Sequence, residues 1–520
     1  GSRPFTRRGV SNAVIRSIAN LGRLIDIART FARHDALFPL ERMGVAQPIV
    51  AAAKLISRRT AEGRPGKRLS AALEELGPAF IKLGQALSVR PDLVGEEIAD
   101  DLSNLQDRLP PFSSDVARQT IEKALGEPVD SLFAQFDDAP VAAASIAQVH
   151  FAKTHDGDKV AVKVLRPSIE AHFQQDLEVF LWLARLVECT RPALRRLRPA
   201  EVIQTFEASV KIEMDLRLEA AAASELHDNT EHDSGFRVPK IDWVRTDRRV
   251  MTLERIEGAR IDDRTALEAS GFTPGEILQR SAESFFNQVF RDGFFHADIH
   301  PGNMFVTSDG TLCPVDFGIM GRLDQKTRNY LADMLIGFLD RDYKRVAEVH
   351  FEAGYVPASQ SIGDFTQAIR SIGEPILGKP LHEISLARLL AHLFQVTKTF
   401  EMEAQPQLLL LQKTMLVAEG VGRTLDPTVN MWSLARPLIE EWVIFNRGPE
   451  ARLRHMVTDT ISTLEQLPQL LGRAEVVTEA LRSAKPVHKG REDSAFGRLR
   501  SDWILYGLLG FIVILLLSNL

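Results

Sequence analysis

Three oxygen-bearing side chains stand at intervals that suit phosphate and divalent-cation chemistry. The run HADIHPGN (296–303) is followed by VDFG (315–318), so Asp298 precedes Asn303 by five residues and Asp316 by eighteen. Hard cations such as Mg²⁺ take oxygen ligands, and phosphoryl transfer needs such a cation on the phosphate oxygens. Asp316 and the Asn303 amide oxygen supply metal ligands, while Asp298 orients or deprotonates an attacking hydroxyl or water. Either motif alone is a common turn. Together they predict a protein-kinase-like catalytic loop running through a short hairpin, Met304–Val306 and Leu312–Val315, into a metal-binding Asp-Phe-Gly.

A second element must face this loop. In VAVK (160–163) the valines alternate with Ala161 and Lys163, so the ammonium projects from the strand face opposite them. A strand lysine holds α/β-phosphates only if an acid fixes it. EMDLRLEA (213–220) offers Glu213, Asp215 and Glu219. Upstream, where a glycine-rich loop would cover the phosphates, stands VAAASIAQV: Val141, Ala142, Ala143, Ala144, Ser145, Ile146, Ala147, Gln148 and Val149. Alanine methyls restrict close approach and positive φ, so this loop is expected to be stiffer than a glycine loop while its amides face phosphate. Neither GxGxxG nor GxxxxGK[ST] occurs, which excludes Rossmann and P-loop readings.

The elements carrying these residues follow from periodicity. A basic amphipathic helix is expected over 10–33, packing on its neighbours, and a helix over 69–90 on Leu73, Leu76, Phe80, Leu83 and Leu87. Lys82 and Gln85 lie away from that stripe, on a face expected to be solvated. A hairpin turns at His155–Asp158. Helices are expected at 168–190 and 200–227, strands at 237–244 and 248–256, and mainly helix beyond. After DFG comes GIMGRLDQKTRNYL, with no Ala-Pro-Glu and no long activation segment, which argues against a peptide-binding platform. Trp503–Leu517 is uncharged and about 22 Å long as a helix, a short candidate for a membrane span. Lys485, Lys489, Arg491, Arg498 and Arg500 precede it and would hold the body on the cytoplasmic side.

Composition agrees with a folded body of two or more lobes: 520 residues, 45% apolar and 25% charged, net charge −6. That charge gives no general reason to expect nucleic-acid binding. Cys189 and Cys313, the only two cysteines, imply no disulfide framework and a reducing compartment.

KLGQ (82–85), the alanine-rich AAAS (142–145), EMD with LEA (213–220), and HADIHPGN with DFG occur together. In this the chain resembles the UbiB family of atypical kinase-like proteins associated with ubiquinone biosynthesis. The resemblance implies an α+β, bilobal protein-kinase-like fold with an N-terminal helical extension lying over the active site. Lys163 would pair with Glu219, Asp298 would be the catalytic aspartate, and Asn303 and Asp316 the metal ligands. Lys82, Gln85, Glu213 and Asp215 would occupy the place where ordinary kinases receive peptide. The cofactors implied are ATP and Mg²⁺, with ATP hydrolysis or lipid-coupled chemistry favoured over protein phosphorylation. Family members commonly end in two membrane helices, whereas this chain offers one candidate.

The expected organisation is then an extension over 1–110, a small lobe over 111–258, a helical large lobe over 259–481, a linker over 482–502 and a transmembrane anchor over 503–520. The expected setting is the cytoplasmic side of the cell inner membrane, with the bilayer, quinone-precursor lipids and other quinone-biosynthesis proteins as partners. Two alternatives stand beside a turning-over enzyme. One is a nucleotide-binding pseudokinase scaffold. The other is an iron-dependent hydroxylase using His296 and Asp298, with His300 as a second imidazole.

Overall fold

The computed structural model describes residues 22–23, 25–38, 63–88, 94–103, 105, 109–190, 199–377, 386–402, 406–426 and 436–443. By contact density the chain divides into residues 1–444 and 445–520. The expected linker and anchor lie outside the described residues. Among the described residues no helix is long and apolar enough to cross a membrane.

The small lobe is built on an antiparallel sheet. Its strands β1 (Gln135–Phe136), β2 (Ala142–Ala143), β3 (Ala147–Lys153), β4 (Lys159–Leu165) and β5 (Val250–Glu254) run in the order β1-β3-β4-β5, with β2 also on β3. The β3–β4 turn falls where expected: Thr154 N–H bonds to the Asp158 carbonyl, and Gly157 takes a φ of +98°. Val160, Val162 and Val164 face a core completed by Ile121 and Phe133. Lys163 therefore projects from the opposite face, with Val149 and Met251 as cross-strand neighbours.

On that other face lie the extension and the long helices. Helices α1 (Pro65–Leu76), α2 (Pro78–Ser88) and α3 (Glu96–Ser103) precede α4 (Ser114–Leu125). The expected single helix over 69–90 is two, because Gly77 adopts φ +103° and Pro78 opens the next helix. Leu73, Phe80, Ile81 and Leu102 join Leu165, Phe173, Met251 and Leu253 in one core. Gly84 of KLGQ is a packing residue, since a Cβ there would lie 2.8 Å from Leu73 Cδ1 and 2.7 Å from Leu105 Cδ2. Arg23 ties the N-terminal helix down, bonding Asp176 (2.7 and 3.0 Å) and the Leu76 carbonyl (2.9 Å).

Beyond β4 come α5 (Ile169–Thr190), α6 (Pro199–Glu213) and α7 (Leu216–Thr230). The helix expected over 200–227 breaks at Met214–Asp215, because Asp215 is extended and its side chain caps α7 at the Arg217 amide. The stretch expected as a strand at 237–244 holds a single bridge at Ile241, follows another at Phe236 and runs into a 3₁₀ turn instead.

The large lobe carries two small sheets around the catalytic loop. Strands β6 (Gly258–Arg260), β8 (Met304–Thr307) and β9 (Leu312–Pro314) form one; β7 (Phe294–His296) and β10 (Met320–Arg322) form the other. Helix α8 (Pro274–Phe286) opens with a capping box between Thr273 and Glu276 and runs into a π-helical turn, Asn287–Asp292. Helices α9 (Gln325–Leu339), α10 (Tyr343–Glu352), α11 (Ile362–Gly373), α12 (Leu386–Thr399) and α13 (Pro406–Leu425) follow.

Because extension and small lobe share one core, Leu73→Ala should cost about 2–5 kcal/mol and lower the urea midpoint of both together. A separate early transition for the extension would contradict the shared core. Histidines shielded from water set a pH dependence, His150 and His350 among them. His150 stacks on Phe136 between the Asp137 carbonyl and Gln148, and His350 bonds the Val346 carbonyl; burial holds both pKa values below histidine's ordinary value. Below about pH 6.5 the unfolded chain takes up protons that the folded one refuses, so stability falls as pH drops. The expected slope is up to about 1.4 kcal/mol per pH unit for each histidine, and a flat stability profile between about pH 7 and 5 would contradict it.

Candidate active site

The centre of the site is a buried ion cluster. Lys163 Nζ on β4 lies 2.6 Å from Glu219 Oε1 on α7 and 3.3 Å from Asp316 Oδ1. Of the three acids offered by 213–220, only Glu219 faces the lysine: it sits one turn inside α7, on the face that buries Leu216, Ala220 and Ala223. Glu219 Oε1 also accepts the Phe317 amide (3.3 Å), joining α7 to the Asp-Phe-Gly. Asp316 Oδ1 accepts the Gly318 amide (3.1 Å), and Phe317 is buried in the large-lobe core.

The charges of this cluster are unequal. Burial alone would lower Lys163, but Asp316 and Glu219 outweigh it and hold the ammonium firmly charged. Burial pushes Glu219 up, Lys163 pulls it back and Asp316 raises it again, which leaves it at about 7. Burial would raise Asp316 too, yet Lys163, the Gly318 amide and Lys82 hold it well below the usual carboxylate range. Of the two acids, Glu219 is the one its surroundings dispose to hold a proton and Asp316 the one they dispose to stay charged.

The catalytic loop is fixed from several sides. Asp298 Oδ2 accepts the Asn303 amide at 3.2 Å, which turns the Asn303 carboxamide oxygen away from Asp298. The chain passes through a 3₁₀ turn, Pro301–Asn303, capped by His300 Nδ1 at the Gly302 amide (3.1 Å). Val315 N–H then bonds the Asn303 carbonyl, closing the β8–β9 hairpin just before Asp316. His296 is wholly enclosed. Its Nε2–H donates to the Asp316 carbonyl and its Nδ1 accepts the Asp298 amide (3.2 Å), while burial lowers its pKa and keeps it neutral. Both ring nitrogens are thus committed to backbone, which removes His296 as an iron ligand.

Several residues in this support were not singled out from sequence. Gln288, in the π turn, accepts the His296 amide (3.0 Å) and donates to Ser284. Thr414 on α13, fully buried, donates to the Ala297 carbonyl (3.1 Å), and its neighbour Lys413 places Nζ 3.9 Å from Asp298 Oδ1. The apolar run around 406–412 marks a helix but not which loop it touches, so nothing local could have flagged these two.

Other expected site residues are sorted by the structure. Lys82 pairs with Glu213 at 2.8 Å, and Gln85 sits half-buried one turn on, so KLGQ is no solvated face. Asp215 does not join them: its carboxylate is held by Arg217 (2.9 and 2.7 Å) and caps α7. In the alanine loop, Val141, Ala142, Ala143 and Ala144 remain at least partly accessible, and Val149 lies beside Lys163. Ser145 and Ala147 are buried, and Ile146 packs into the extension core. Gln148 is turned onto the backbone of Phe112 (3.0 and 3.3 Å), because the segment after Pro110-Pro111 has polar groups to satisfy there. The Val141 and Ala144 amides are used within the hairpin, by Val149 and Ala147, so they are not the phosphate-facing amides expected from sequence. Arg166 Nε further braces the loop at the Ala144 carbonyl.

Comparison with known proteins agrees with the kinase-like fold. The ABC1 atypical kinase-like domain matches residues 104–350, and the UbiB helical domain matches 369–430. A "Probable protein kinase UbiB" of Marinobacter nauticus is 45% identical over 425 residues, covering 81% of this chain and 78% of its own. The chain belongs to the UbiB family. A relative of the same description from Pseudomonas fluorescens is 41% identical over 492 residues, 93% of this chain and 91% of the relative. Among solved structures, Rv3197 of Mycobacterium tuberculosis, determined in complex with erythromycin, matches with a TM-score of 0.51 at 25% identity, over 71% of this chain and 93% of that one. The kinase-like fold is therefore a UbiB fold, and α13 with its Lys413 and Thr414 belongs to the UbiB helical domain.

Removing Lys163 should leave a buried carboxylate without its counter-ion. Lys163→Met is expected to cost about 3–5 kcal/mol, most of it recovered by adding Glu219→Leu. Calorimetric melting of the two variants checks this; a double variant no more stable than the single would show that the pair is not the source.

Proposed function

We propose that this UbiB protein binds ATP with Mg²⁺ in the cleft between the lobes and turns it over, as an atypical kinase or ATPase supporting ubiquinone biosynthesis. The observation that carries this reading is the meeting of Lys163 with Asp316, 153 residues later, at 3.3 Å. A strand-borne ammonium beside a carboxylate whose charge it favours is what a nucleotide·metal complex requires.

The residues present fit a magnesium ion. Asp316 is ionised and half-exposed, and the Asn303 oxygen is turned away from Asp298, so two hard donors are on hand. Mg²⁺ is usually held by one or two protein oxygens and completed by phosphate and water. Bound there, it would neutralise phosphate charge. Lys163 would hold α/β-phosphate oxygens, kept in place by Glu219. Asp298 would receive the proton of the attacking hydroxyl or water. Lys82 and Glu213 would close the site against a peptide substrate. A bilayer anchor over 503–520, a place on the cytoplasmic side of the inner membrane, and quinone-precursor lipids or biosynthetic proteins as partners belong to the same proposal. They are supported by the apolar tail, the basic residues before it and the relatives' family.

Asp298→Asn should lower ATP turnover by about 10²–10⁴-fold while leaving Mg²⁺·ATP affinity within about twofold. Phosphate release and calorimetry on the purified chain, with and without lipid vesicles and quinone-precursor phenols, give both readings. Binding without turnover in the parent under every condition would instead favour the nucleotide-binding scaffold.

A further inference from the structure

Phosphoryl transfer needs positive charge at both ends of the transferred group, and the metal side is already supplied by Lys163 and Lys82. The Asp298 side is different. The segment 294–318, which holds Asp298, Asn303 and Asp316, contains no Lys or Arg. The charge there comes from 115 residues further along the chain. Lys413 Nζ lies 3.9 Å from Asp298 Oδ1, too long for a hydrogen bond, with both side chains 31% exposed.

A loose pair of this kind contributes little to stability, yet its placement is fixed. The next residue, Thr414, is fully buried and hydrogen-bonded to the carbonyl of Ala297, directly before Asp298. Helix α13 is thus held in register against the catalytic loop, and its lysine reaches the Asp298 carboxylate. A lysine has three donors on a flexible stem, so the ammonium reaches an anion beyond the carboxylate without disturbing the helix.

We propose that Lys413 is a substrate-contacting residue that binds the terminal phosphate of the nucleotide at the Asp298 end of the site. This rests on the nucleotide reading above. In this arrangement the UbiB helical domain completes the charge complement of the kinase-like domain, and the cation absent from the catalytic loop is delivered by α13.

The terminal phosphate distinguishes ATP from ADP, and the test uses that difference. With purified full chain and Mg²⁺, Lys413→Met should weaken ATP binding by roughly tenfold to a hundredfold in calorimetry, leaving ADP binding within about twofold. The same loss should appear in an Asp298→Asn background, because the contact is to phosphate rather than through the aspartate. Lys413→Arg should recover part of the ATP affinity, and the melting temperature should barely move. Unchanged ATP affinity in Lys413→Met, or an equal loss for ATP and ADP, would overturn the assignment while leaving the nucleotide site standing. Failure of the parent chain to bind either nucleotide would remove both readings.

Discussion

The site depends on placing two carboxylates and one ammonium in a space where water screens them poorly. Lys163 is the shared partner, and the enclosed Glu219 depends on it most. Because Glu219 sits on α7, Lys163 on β4 and Asp316 at the end of the β8–β9 hairpin, satisfying one lysine fixes three elements from both lobes. The asymmetry follows from surroundings. Glu219 is enclosed and drifts towards neutrality, while Asp316 keeps a backbone amide, two nearby cations and partial exposure. The cluster thus leaves a single anion facing the cleft.

Most of this centre was legible in the sequence because its parts are local. The spacing of HADIHPGN and VDFG reports a loop, a hairpin and a turn, all set by short-range geometry. The valine alternation in VAVK reports which way Lys163 points. What was not legible is tertiary. Asp215 and Glu213 stand two apart in one acidic run, yet one caps a helix and the other meets Lys82, a division decided by where the chain turns at Met214. Gln148 resembles any loop polar residue until the Phe112 backbone is brought against it. Gly77 and Gly84 lie seven apart; the first breaks a helix through its φ, while the second lets side chains approach, and periodicity alone does not separate the two roles.

Support for the catalytic loop comes from around it. The π turn at Asn287–Asp292 departs from regular helix, and its altered register lets Gln288 reach the His296 amide. The same turn offers the Phe290 carbonyl to both Trp442 and Arg328. His296 in turn spans from the Asp298 amide to the Asp316 carbonyl, so the two acidic residues share a single rigid imidazole between their backbones.

The hydrogen bond from Thr414 to Ala297 has a bearing on what counts as the working unit. A kinase-like domain recognised over residues 104–350 ends before α13 begins, yet the Ala297 carbonyl inside it accepts a hydrogen bond from that later helix. Cutting the chain at the family boundary would remove that donor one residue from Asp298. The two family segments are thus halves of one machine, and they are expected to be inherited, expressed and lost together.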